Sequence, residues 1–429
     1  MKPSSTNSAS GKTFTGATLA APLLAVCLCG CLVMPGEQGP EPPESILAEV
    51  DETEAHLSWP ASRDTVKPVT GYKAFAVQDA SKNCTTTGRT GCMITGLDEG
   101  KTYTFAVKAR NRSGLGPAST PSQSFTISSA PPIASIWTSR SSGITGGLNA
   151  VVWTGSQFVA VGDYGTVLTS PDGVTWAHYS TGRWIDLNRV AYGNGRLIAL
   201  GDTLIGAEFR SVIFTSVDEG VSWTSRTPAI NFRVRLAAWG GGNWVLAGNH
   251  GMVLTSPNGE SWTSSSTGYT APPPNVTNFA GLTWTGLRFV LLPSFDTEGP
   301  LSSPDGINWS RSGAQNMAGP YAAASNGTVI LAAGAGGTFP QHLFVMISTD
   351  GETWQTTMTE AELSGIKQVV WAGRWIVLES WGDIWTSRDG LWWVRRRFQN
   401  LAEIVPTSMA FSGTRLVQVG SFGKILTSP

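Results

Sequence analysis

Charge is scarce in this sequence. Asp, Glu, Lys and Arg supply 14% of its 429 residues, against roughly 25% in an ordinary soluble domain. That shortage does not suit long solvated helices laced with ion pairs. The net charge is −1, so no global field attracts nucleic acid or an anionic membrane surface, and no nucleic-acid partner is expected. Histidine is scarce too, at four residues. His178, His250 and His342 lie far apart with no ligand spacing, so neither a metal nor a cofactor is expected. No Gly-x-Ser-x-Gly elbow occurs. Gly334-Ala335-Gly336-Gly337 precedes no helix that would cradle phosphate, and it reads as a strand-connecting turn. What is abundant is glycine, at 50 residues, and tryptophan, at 18, in a chain that is 41% apolar. Many short strands joined by tight turns fit that composition, and disorder does not. The length suits two or three domains.

The N-terminus reads as an address. Lys2 and Lys12 precede an apolar stretch from Ala17 to Leu28, shorter than the roughly 20 residues a membrane helix needs and right for a signal peptide. The run ends Leu28-Cys29-Gly30-Cys31. This resembles the lipobox of bacterial lipoproteins, which implies lipidation at Cys31; Cys27, preceded by Val26, fits less well. A Pro- and Gly-rich stretch, Pro35 to Pro43, follows as a flexible tether. Leu32 stands where some bacteria place an aspartate for inner-membrane retention. The resemblance therefore implies export to the bacterial cell envelope, with the outer membrane favoured and membrane attachment through the lipid.

Residues 44–128 alternate polar and apolar in short runs, among them Ala55 to Trp59, Gly71 to Val77 and Thr102 to Val107. Trp59, Leu97 before the Asp98-Glu99-Gly100 turn, Tyr103, and the hairpin Ala109 to Gly116 resemble a fibronectin type III domain. The Leu97-to-Tyr103 spacing fits the tyrosine corner of such sandwiches. Cys84 and Cys92 remain for the folded part and are expected to pair in an oxidising compartment. A loop of that size gains roughly 2.5 kcal/mol by chain entropy.

Beyond Ala130-Pro131-Pro132 one pattern recurs. Its clearest copy runs from Leu148 to Trp176 as strand, turn, strand, Gly turn, strand, Asp-Gly turn, Trp. Further copies end at Trp223, Trp262, Trp309, Trp354 and Trp393, at intervals of 47, 39, 47, 45 and 39 residues. Four strands in that length make one propeller blade. The turn Ser-x-Asp-Gly-x-x-Trp resembles the Asp-box, or BNR repeat. Its residues here are Asp172 and Trp176, Asp218 and Trp223, Asn258 and Trp262, Asp305 and Trp309, Asp350 and Trp354, and Asp389 and Trp393. The copy at Asp218 is one residue longer than the others. In such turns the acid accepts backbone N–H groups, Gly takes positive φ, and the Trp wedges between blades. The box is structural, so its acids are not read as catalytic. A seventh box is split: Ile425 to Pro429 supplies its first half and Ile136 to Ser139 its second. A six-bladed count would have to discard one end.

The expected fold is all-β: a fibronectin type III β-sandwich followed by a seven-bladed β-propeller closed by N- and C-terminal strands. The expected divisions are 1–30 signal peptide, 31–43 tether, 44–128 sandwich, 129–134 linker and 135–429 propeller. In Asp-box propellers the working face lies opposite the boxes. Candidates there are Arg183, Trp184, Asp186, Arg189, Arg233, Arg235, Asn278, Tyr321 and Lys367, with Asp163, Asp202, Asn249 and Glu379 in inner turns. Arg183, Arg189, Arg233, Arg235 and Lys367 make a candidate basic patch, with Trp184 and Tyr321 as aromatic anchors. The repeat is similar to photosystem II assembly factor-like propellers. That similarity implies a monomeric, envelope-anchored binding or assembly scaffold for a protein or glycan, with the sandwich as a stalk and no assigned catalytic residue. The alternative is an exported glycoside hydrolase or lyase. Sialidases share the box, but the arginines here fall on two adjacent blades. Asp163 and Asp202 then form the one acid/base pair that suggests itself, in equivalent inner turns of neighbouring blades.

Overall fold

The computed structural model describes residues 39–51, 53–63, 67–127, 134, 136–205, 208–269, 279–294, 299–311, 320–336, 342–362, 365–380, 382–391, 393–396 and 405–429. The signal peptide, Cys31 and Asn278 lie outside the described residues, as does most of the 129–134 linker.

The first domain is a sandwich. Leu47–Asp51, Glu54–Ser58 and Gly91–Ile94 form one sheet; Asn83–Thr86, Gly71–Ala76, Phe105–Asn111 and Gly114–Ala118 form the other. Period-two alternation buries Ala55 and Leu57 from the first sheet and Tyr72, Ala74 and Ala76 from the second. Trp59 meets Tyr72 between them, ring centroids 5.4 Å apart. Cys84 and Cys92 are disulfide-bonded and tie an edge strand of one sheet to the other. The run expected as a single strand from Thr102 divides at Thr104. Thr102–Tyr103 pairs with Phe125–Thr126, while Phe105–Asn111 joins the four-stranded sheet. Tyr103 anchors the corner: its hydroxyl donates to the Asp98 carboxylate at 3.0 Å and accepts the Asp98 N–H. The last residues of the expected tether belong to this domain. Pro40 and Pro43 are buried, and a Cβ on Gly116 would strike the Pro40 carbonyl.

Seven four-stranded antiparallel sheets follow among the described residues. Their first strands are Leu148–Trp153, Asp186–Gly193, Val234–Gly240, Phe279–Trp284, Pro320–Ser325, Ile366–Trp371 and Pro406–Phe411. Each touches the next and the last touches the first, so the ring closes. The core lies between blades. Leu148, Phe158 and Leu168 of the first blade pack on Val417, Val419 and Ile425 of the seventh, and each later seam is built the same way.

Closure uses both ends of the domain. Thr138–Arg140 pairs with Ile425–Ser428, with Ser139 opposite Leu426. That strand completes the seventh blade as a four-stranded sheet like the other six. The seventh turn is completed across the closure. Ser428 Oγ accepts the Ala134 N–H at 3.1 Å, and Trp137 Nε1 donates to the Ala134 carbonyl at 3.0 Å. Ala134 adopts φ 67°, the conformation taken by the turn glycine elsewhere. Trp137 fills the seam between the sixth and seventh blades.

Candidate functional site

The two faces of the wheel are built differently. One carries the Ser-x-Asp-Gly turns. In the first, Ser170 Oγ accepts the Gly173 N–H at 2.8 Å, while Asp172 accepts the N–H groups of Val174 and Thr175. Trp176 Nε1 returns to the Gly173 carbonyl. Asp218, Asn258, Asp305, Asp350 and Asp389 each accept at least one such N–H. Gly173, Gly220, Gly259, Gly306, Gly351 and Gly390 all have positive φ. The longer copy houses its extra residue by placing Glu219 at φ 57°. Trp176, Trp223, Trp262, Trp309, Trp354 and Trp393 each lie against a different inter-blade core. Backbone N–H bonds, that of Thr175 foremost, hold the Asp172 carboxyl below the usual range. At Asp305 burial pushes upward, but bonds from Asn308 and Ile307 outweigh it and hold the carboxyl at about 2. Its contribution to stability is therefore present above the ordinary value and lost as pH falls through about 2. Asp305→Ala leaves those N–H groups without an acceptor. We expect it to destabilise the propeller by about 1–2 kcal/mol, read as a lower denaturation midpoint.

The opposite face carries the turns between second and third strands and the links between blades. Asp163 and Gly147 exchange bonds: the carboxylate accepts the Gly147 N–H at 2.7 Å, and the Asp163 N–H donates to the Gly147 carbonyl. Asn249 clamps Arg233 in the same way on the third blade, and Ser421 clamps Val405 on the seventh. Asp202 holds the same register position, next to Gly201 and opposite Asp186, as Asp163 is next to Gly162 and opposite Gly147. The hairpin of the second blade is longer, so Asp202 lies within the strand Arg196–Ile205. What differs is the partners that take up each carboxylate. Asp163 holds Gly147 and Asn149, and Asp202 is held by arginines.

Those arginines do converge. Arg233 and Arg235 both pair with the largely buried Asp202, Arg235 at 3.2 Å. Ser211 Oγ donates to its other oxygen. Arg189 Nε donates to the Arg235 carbonyl. Burial, then the neighbouring Arg235 charge, push the Arg189 guanidinium below its ordinary value. Glu379, fully buried, is taken up by Trp385 Nε1 and by Arg395, which also pairs with Asp383. Among the described residues no group of three or more His, Cys, Asp or Glu gathers at metal-binding distance.

One feature of this face is absent from the sequence patterns. Every inner strand has a register shift within its first residues, among the described residues. The displaced residues are Asn149, Asn188, Arg235, Ala280, Tyr321, Lys367 and Thr407, one per blade. Each is exposed or half-exposed and follows a residue that is buried wherever its burial is described. A bulge re-aims one side chain without breaking the sheet. The wheel thus sets Arg235, Tyr321 and Lys367 at one level around its axis. Arg183 and Trp184 lie further out, exposed on the link between first and second blades.

The profile of the fibronectin type III domain matches residues 41–125. The chain is similar to a solved structure described as "Crystal structure of RRP9 WD40 repeats", with a TM-score of 0.52 at 11% identity, covering 70% of this chain and 98% of that one. It also aligns with "Crystal Structure of Mitotic Checkpoint Complex" at TM-score 0.49 and 12% identity, covering 72% and 96%. At such identity the first similarity shows fold alone, and the second carries no argument.

Proposed function

We propose that this protein is a binding scaffold of the bacterial cell envelope, lipid-anchored through Cys31, that docks a partner on the propeller face opposite the Ser-x-Asp-Gly turns. The bond pattern of those turns supports reading them as Asp-boxes of the BNR class, structural and not catalytic. The observation that carries the docking reading is the bulge ring. A seven-fold device that displaces one residue per blade at the same end of its inner strand, with Arg235, Lys367 and Tyr321 among them, offers one contact zone. Arg and Tyr are the side chains that most often dominate such contacts. The test is recovery of a partner from an envelope fraction by full-length protein and by Tyr321→Ala/Lys367→Glu. Wild type should retain a specific partner and the variant should lose it at unchanged melting temperature. Equal recovery by both would end the reading. Cys31→Ser should move the protein from membrane to soluble fractions.

A further inference from the structure

Three turns on the docking face share one construction. Asp163-Tyr164-Gly165, Asn249-His250-Gly251 and Ser421-Phe422-Gly423 each begin with the clamping residue and place the ring-bearing residue at positive φ: 58°, 60° and 56°. L side chains rarely adopt this conformation, and glycine would hold it without strain. The strain presents rings to solvent. Tyr164 is 61% exposed and Phe422 72%. Trp184, 89% exposed, meets Tyr164 with centroids 5.6 Å apart and planes tilted by 57°.

These rings neighbour one another around the closure. The link from the seventh blade to the first passes Gly423 at Ser142 and Ile144, then passes Asp163 and Tyr164 at Gly146 and Gly147. A Cβ at Gly146 would lie in ordinary contact with the Tyr164 ring, at 4.0 Å. Exposed Asp186 accepts the Tyr164 N–H and stands beside the platform with exposed Arg183.

The surroundings identify the occupant. A protein interface surrounds its aromatic anchors with a continuous, well-packed contact area. Here isolated rings stand nearly free amid Ser, Thr and Gly, with one acid and one guanidinium at the margin. A pyranose ring matches that arrangement: an apolar C–H face to lie on an indole or phenol, and hydroxyls at its rim to meet charged and hydroxyl side chains. We infer that Tyr164, Trp184 and Phe422 form a carbohydrate-binding platform for a polysaccharide chain running across the seventh and first blades. The inference rests on the docking-face reading and names the class of ligand.

Affinity electrophoresis of the full chain in gels cast with hydroxyethylcellulose, xylan, glycol chitin or polygalacturonate tests it. At least one polysaccharide should retard the wild type. Trp184→Ala and Tyr164→Gly should weaken that retardation at least tenfold, while Leu287→Ala, in an exposed turn of the fourth blade, leaves it unchanged. Tyr164→Gly removes the ring and the strain together, so its melting temperature should equal or exceed that of wild type. No retardation in any of the four gels, or retardation untouched by the ring variants, would overturn the proposal. If the gels are blank but Trp184→Ala still releases a protein partner from the envelope fraction, the docking face survives and the carbohydrate assignment fails.

Discussion

Deleting residues 425–429 will abolish the single cooperative unfolding transition of the propeller. The deletion removes Ile425 and Leu426 from the two seams beside the seventh blade, at roughly 1.5–3 kcal/mol for each side chain. It also exposes two strand edges, Thr138–Arg140 and Leu416–Gly420, which lose their common partner. It takes away Ser428, the acceptor for the Ala134 N–H that holds Trp137 in its seam. Those losses fall on one place, and together they approach the whole stability of an ordinary domain, roughly 5–15 kcal/mol. Calorimetry should show a broadened or absent transition. Ser428→Ala isolates one part of the effect: it keeps the strand and removes one acceptor, at about 1 kcal/mol. A truncated protein melting in one transition at the wild-type temperature would show that the ring is held elsewhere.

How much of this was legible in the sequence depends on what each device is made of. The Trp spacing exposed the blades because seams demand a large ring at a fixed place in each repeat. The split turn was visible through Trp137, yet its turn residue was not, since Ala134 carries no signal for positive φ. The bulge ring was half legible. Arg235, Tyr321 and Lys367 drew notice as charged or aromatic, while Asn149, Asn188 and Thr407 read as ordinary strand residues. A register shift leaves no mark on composition; it emerges once the inner strands are aligned on their first buried residue. The ring-bearing turns were not legible, since Tyr, His or Phe between a polar residue and Gly carries no signal for positive φ. The triplet pattern is in the chain all the same, and it recurs at Ser380-Trp381-Gly382, whose central residue lies outside the described residues.

The contact between the domains was not legible at all. Glu49 belongs to the strand Leu47–Asp51, whose Val50 faces the sandwich core, so alternation turns Glu49 outward. A carboxylate there should be solvated. It is instead 7% exposed, because the sixth blade covers it: Glu49 Oε1 accepts the Arg388 N–H at 2.9 Å, beside the turn of Asp389. The sandwich therefore rests on the Asp-turn face, which leaves the opposite face open.

This contact carries the second large prediction, that the docked arrangement weakens between about pH 4.5 and 7. Burial pushes the Glu49 carboxyl up to about 7, against an ordinary value of 4.5, and Asp389 adds to the rise; the Arg388 N–H bond and the charges of Arg388 and Arg374 act the other way. Its second oxygen has no hydrogen-bond partner among the described residues, so nothing there offsets the cost of burying the charge. A group whose folded value is raised contributes stability that is complete below its unfolded value and lost as pH rises through the folded one. The loss over that window is about 3 kcal/mol. His56 lies directly opposite Glu49 across the strands and has the reverse sign. Its burial lowers its value, although Glu54 and Asp389 oppose the shift, so its contribution holds above 6.5 and fades as pH falls below that. Arg396 completes the cations near Glu49 and stays charged throughout. Glu49→Gln keeps the acceptor oxygen and removes the titration. It should flatten the decline between pH 4.5 and 7 and raise the melting temperature at pH 8, while the His56 loss on the acid side remains. Glu49→Ala removes the acceptor as well and should be less stable than the Gln variant at every pH. Thermal unfolding from pH 4 to 9 separates the three proteins. Identical profiles for wild type and Glu49→Gln would mean that the carboxyl is solvated and that the sandwich swings free of the wheel.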